Sequence, residues 1–118
     1  MTAPLLHITT PAEWETARAA GVVAPPSLEQ VGFVHLSTAD EVALPANRLH
    51  AGRDDLLLLV LDPARIGVEV RFEPGVPGDP ESMLFPHAYG PVPTAAVTAV
   101  VPYRPGPDGR FAAPILQG

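Results

Sequence analysis

The chain predicts an α+β fold: two N-terminal helices packed on a mixed or antiparallel, split sheet of about five or six strands. Three observations predict it. Helix-capping signals fall before Gly52, and apolar runs of strand length dominate after it. At 118 residues there is chain for one core rather than two. The 47% hydrophobic content exceeds what disordered chains carry, while 10 glycines and 16 prolines, scattered without a period, mark many turns. Residues 1–103 are expected to form a single α+β domain and 104–118 a loop-rich C-terminal tail.

Leu5-Leu6-His7-Ile8, closed by threonines and a proline, reads as the first strand. Thr10 then sits at an N-cap, Pro11 at the first helical position, and Glu13 completes a capping box. The helix turns Trp14 and Ala17 inward and stops at Gly21. Val22 to Pro26 is extended, because a residue before proline avoids the helical region. Ser27 to Gln30 is a capped turn ended by Gly32. Phe33 to Ser37 alternates, with Phe33, His35 and Ser37 on one face and Val34 and Leu36 on the other.

Thr38 to Glu41 repeats the capping pattern and opens a second helix to about His50, which Pro45 should kink or shorten. The run Leu56 to Leu61 reads as a central strand buried on both faces. Asp62 to Arg65 is a capped turn. Val68 to Glu73 is a strand with Val68, Val70 and Phe72 on one side and Glu69, Arg71 and Glu73 on the other. Pro74 to Pro80 reads as loop, and Leu84 to Pro93 as an irregular segment that packs on something. Ala96 to Tyr103 forms the last strand. From Arg104 a turn and a loose end follow, with room for one more short edge strand.

Composition narrows the chemistry. With no cysteine, thiolate nucleophiles, thiolate zinc sites and disulfides are excluded. The cations are all arginine, seven against 13 acids, for a net charge of −6. Lysine-dependent chemistry is therefore absent, and no basic patch offers itself to nucleic acid. The longest apolar run is too short to span a bilayer, and the first ten residues lack the pattern of a signal peptide. A cytoplasmic protein is expected, with a small-molecule ligand and with neither nucleic acid nor membrane as partner; a protein partner is left open.

Three histidines stand out. His35 and Ser37 project from one strand face, where imidazole and hydroxyl can orient a sugar hydroxyl or move a proton. The plainer alternative is an imidazole bonded to a carbonyl and a serine that ends the strand. Arg71 and Glu73 share a face that either meets solvent as an ion pair or lines a cleft. His87 and Tyr89 lie between Pro86 and Pro91, a stiff setting that limits the entropy lost on holding a ligand, and Gly90 could give that ligand room. The other possibility is a proline-braced plug for the sheet. His50, at a helix end, reads as structural, its protonated ring suiting the helix dipole. His7, His35 and His87 with Glu73 could compose a mixed metal set, but no local metal-binding spacing supports one, and no metal is expected.

The strings GFVHLST (Gly32 to Thr38), VRFEP (Val70 to Pro74) and LFPHAYGPVP (Leu84 to Pro93) resemble the bacterial family called domain of unknown function 952. The likeness extends to LLHITTPAEWETARAAG and LLLLVLDPARIG, covering about residues 5 to 102 in order. The family's fold looks like a distant relative of the ADP-ribosyltransferases, which split the nicotinamide–ribose bond of NAD. That resemblance implies NAD as cofactor and an ADP-ribosyltransferase-like or NAD-glycohydrolase-like activity. It implies His7 in the ribose-holding role, Ser37 or Thr38 in support of the ring, and Glu73 as the carboxylate that stabilises an oxocarbenium ion. Taken with the residue reading, the candidate catalytic residues are His35, Glu73 and His87. The candidate ligand-binding residues are His7, Ser37, Thr38, Arg71 and Tyr89. A non-catalytic module binding a metabolite or a protein is the alternative, and a divalent-metal enzyme a third.

Overall fold

The computed structural model describes residues 3–74 and 84–114. The fold is α+β, as expected. Among the described residues it has three helices and eight strands, in three separate antiparallel sheets. Strand β1 (Leu5–Thr9) leads to α1 (Pro11–Ala20), β2 (Val22–Val23), α2 (Pro26–Val31), β3 (Val34–His35) and α3 (Ala43–Leu49). Then come β4 (Leu56–Leu61), β5 (Val70–Pro74), β6 (Leu84–Ala88), β7 (Val92–Pro93) and β8 (Val97–Tyr103). The sheets are β1-β4-β8, β2-β7 and β3-β6-β5.

The cap of α1 forms as the sequence dictates: the Glu13 amide donates to Thr10 Oγ1 at 3.2 Å, and Gly21 adopts φ 80° at the C-terminus. Ala17 is buried and Trp14 packs against the core beside it. Strand β4 separates two apolar clusters. Leu59 and Leu61 join Leu5, Val34 and Leu36 on one face, while Leu56 and Leu58 join Leu6, Val42 and Ala46 on the other. Period-two alternation in an all-apolar strand thus feeds two cores at once.

Four sequence expectations change. Ser27 to Gln30 belongs to a true helix, α2, in which the Ser27 hydroxyl donates to the Phe33 carbonyl at 2.9 Å. The helix expected from Thr38 to about His50 is shortened to Ala43–Leu49, and Pro45 lies in its first turn, where the amide it lacks has no helical acceptor. Instead the chain from Thr38 makes turns before the helix begins, with the Val42 amide on the Thr38 carbonyl. Leu84 to Ala88, expected to be irregular, is the central strand of its sheet. Its Pro86 accepts a bond from the Leu36 amide at 3.0 Å and has no N–H to return, so the β3–β6 ladder ends at His35↔His87.

The fourth change concerns the tail. Phe111 is buried against Tyr103, ring centroids 4.9 Å apart, and Asn47 grips its backbone twice. The segment is thus docked through one aromatic anchor, and its described residues hold no strand. The expected loop at Pro74 to Pro80 lies, beyond Pro74 itself, outside the described residues.

Candidate functional site

Two polar constellations meet at His35. The first is a cleft of about 210 Å³ between β1, the β3 segment and helices α2 and α3. Its polar lining is His7, Ser27, His35, Ser37 and His50. Its apolar walls are Ile8, Pro25, Pro26, Pro45 and Leu49. The placement follows from local geometry. The Leu6 and Ser37 backbones exchange two bonds of 2.7 Å, joining β1 to the chain just after β3 and setting His7 beside His35. His7 Nδ1 lies 2.8 Å from the His35 carbonyl oxygen and donates to it. That bond fixes the tautomer and leaves Nε2 with the lone pair.

Burial holds His7 below the usual imidazole range, against the raising effect of its bond to the His35 carbonyl. His35 is more exposed, yet partial burial, then His87 and His7, also lower its pKa. His50 is lowered by burial and by the Arg53 cation, against a raising effect of Glu13. Burial and the Arg53 cation thus work against the protonated, dipole-bound His50 that the sequence suggests. All three rings of the cleft favour the neutral form.

The second constellation lies on the β3-β6-β5 sheet. His35 and His87 are direct cross-strand partners, with ring centroids 5.3 Å apart and planes nearly perpendicular. Proximity of these two rings, which a single-ligand site requires, is therefore met. Glu73 Oε1 accepts from His87 Nδ1 at 3.0 Å and from the Tyr89 hydroxyl at 2.5 Å. Those two bonds, the tyrosine's first, hold Glu73 below the usual carboxylate range, and the same bond raises Tyr89. His87 is 2% exposed, and its Nε2 has no hydrogen-bond partner among the described residues. Arg71 forks onto Glu69 at 2.9 and 3.0 Å and lays its guanidinium 4.6 Å over the Tyr89 ring.

The structure thus brings His7, His35 and Ser37 into one cleft, and Glu73, His87, Tyr89 and Arg71 into one cluster behind it. Thr38 is parted from Ser37: it lines a separate apolar hollow with Val68, Val70 and Phe72, and its hydroxyl donates to Glu41 at 3.3 Å. Successive residues of extended chain point to opposite sides. Gly90 gives its room to protein, since a Cβ there would lie 2.8 Å from Val68 Cγ1.

Sequence reasoning missed three residues, the first being Ser27, read only as part of a capped turn. Phe33 stacks on His87 with centroids 3.9 Å apart and touches His35 and Tyr89 with its edges; its place on the His35 face was the available signal. His50 carried none, because only the packing of α3 beside β1 turns it to the cleft. The mixed metal set does not assemble: among the described residues, no group of three or more His, Asp or Glu side chains could hold a metal ion. Among the same residues, no helix is long and apolar enough to cross a membrane.

Fold and site together define a small α+β protein with a split antiparallel sheet and an imidazole-lined cleft. The chain belongs to the family described as protein of unknown function (DUF952), whose model matches residues 8–100. It is similar to the crystal structure of protein CC0527 from Caulobacter crescentus, with a TM-score of 0.78 and 26% identity over 93% of this chain and 94% of that one. The solution NMR structure of CC0527 matches with a TM-score of 0.75 and 26% identity, over 92% and 91% of the two chains. No curated protein matches the chain. Membership in the family gives ancestry without an activity.

Proposed function

We propose that this protein binds a small hydroxylated ligand in the His7–His35–Ser37–His50 cleft and acts on it by imidazole acid–base chemistry. The observation that carries the reading is the convergence of three neutral-favouring imidazoles and two serine hydroxyls on one hollow with apolar walls. His7, its donor spent on the His35 carbonyl, offers the acceptor Nε2, while a neutral ring at His35 or His50 has one donor and one acceptor to suit a vicinal diol; neutral imidazole is also a competent base near neutral pH.

The resemblance to ADP-ribosyltransferases makes NAD the first ligand to try. Hydrolysis would break the nicotinamide–ribose bond, with nicotinamide leaving on its electron pair, water oxygen bonding to the ribose carbon, and the water proton passing to an imidazole. In that reading Glu73 supports the site through His87 and Tyr89, which occupy one of its oxygens. A second reading, a non-catalytic metabolite-binding module, draws support from one observation: among the described residues, none lining the cleft carries a carboxylate.

The test incubates pure protein with NAD and follows free nicotinamide, alongside the unfolding temperature with and without NAD. Release by the parent, lost in His35→Ala and Glu73→Ala, supports the NAD-consuming enzyme. A thermal shift without release supports the binding module. Neither signal removes NAD from the account.

A further inference from the structure

We infer that the cleft selects uncharged ribosides and rejects their phosphate esters, an inference that rests on the small-ligand reading above. Among the described residues, no arginine, aspartate or glutamate lines the cleft. Phosphate recognition calls for a guanidinium fork, an ammonium or exposed backbone amides. The arginines with a visible ion pair already serve carboxylates: Arg18 on Glu15, Arg53 on Asp55, Arg65 on Asp62 and Arg71 on Glu69. The chain as a whole is acidic, at −6.

Backbone amides are scarce as well. Helix α2 opens onto the cleft with Pro25 as its N-cap and Pro26 at its first turn, and both line the hollow. Neither proline has an N–H. The Leu28 amide is spent on the Pro25 carbonyl, which leaves this short helix end the Ser27 amide to offer an anion.

What the cleft does offer fits a sugar. The imidazoles of His7, His35 and His50 and the hydroxyls of Ser27 and Ser37 pair with ribose hydroxyls, while Ile8, Pro45 and Leu49 give apolar surface for a ring face. At about 210 Å³ the hollow suits one sugar with a small base rather than a dinucleotide, so the inference keeps the small-ligand reading and opposes NAD as the ligand: nicotinamide release from NAD would overturn it.

The experiment compares uridine with uridine 5′-monophosphate, which differ by one phosphate. Binding is read at about pH 7.5, above the ordinary histidine pKa, from long-range imidazole proton–nitrogen spectra of the whole protein. Uridine should shift the His7, His35 and His50 resonances and bind at least about tenfold more tightly than its phosphate. Leu49→Arg adds a cation at a position 71% exposed and should recover binding of the phosphate, with an unchanged unfolding temperature as the check on folding. A parent that holds both compounds equally, or prefers the phosphate, overturns the inference and leaves the ligand cleft standing. A Leu49→Arg protein that still rejects the phosphate overturns the charge argument. Imidazole resonances that respond to neither compound overturn the cleft reading and the inference together.

Discussion

Tyr89 and His87 share one oxygen of Glu73, and the sharing is what fixes this corner of the molecule. Tyr89→Phe removes one donor and leaves the ring. We expect a lower urea midpoint and a rise of the Glu73 pKa toward its ordinary value by carboxylate NMR. His7 sets a pH dependence. Its pKa is lowered in the folded state, so below about 6.5 the unfolded chain takes up the proton first. Stability is therefore full above that pH and falls as pH drops toward the folded pKa. Urea midpoints measured from about pH 7.5 down to 5 should decline, and His7→Gln should flatten the decline. At this scale the sequence was readable wherever strand alternation decides the outcome, as for Phe33, His35, Ser37, Arg71 and Glu73. It was silent on His50, whose setting is made by contacts distant in sequence.

Among elements, β6 teaches most. LFPHA looks irregular because proline argues against a central strand, yet it pairs on both sides. The strand tolerates Pro86 because its carbonyl still accepts from Leu36 while the neighbouring ladder stops there. Proline in α3 is similarly harmless for lying in the first turn. Caps were legible in part: Thr10 with Glu13, and Gly21 and Gly32 with φ 80° and 88°, form as read, while the capping pattern at Thr38 opens turns and α3 begins later without a side-chain cap. The turn after β6 depends on Gly90, at φ 155°, lying against Val68. Gly90→Ala should destabilise by about 1–3 kcal/mol, and a second change, Val68→Ala, should return part of that, since the clash is with the Val68 side chain. Thermal melts of the two single variants and the double variant read the coupling directly.

The whole molecule is organised by β4, whose two faces serve two cores. Leu58→Ala should cost about 3 kcal/mol in urea unfolding, because a fully buried leucine leaves a cavity in the core it shares with Leu6, Val42 and Ala46. The second core is closed from the far end of the chain by Phe111. Phe111→Ala should likewise lower the unfolding temperature, although the tail's composition read as loose, because one aromatic ring fixes a segment otherwise free of regular structure. The α+β class and the split sheet followed from the order of caps and apolar runs, which left mixed and antiparallel pairing both open and counted two helices and five or six strands where three and eight are described. The division into three sheets did not, since strands of two residues leave no periodicity to read. The central claim is that His7, His35 and His50 face one ligand space while His87 is held behind them. Long-range imidazole proton–nitrogen spectra titrated with uridine test it most directly. Large shifts at His7, His35 and His50, with His87 little moved, are the predicted result; shifts confined to His87, or none at any of the four rings, would contradict it.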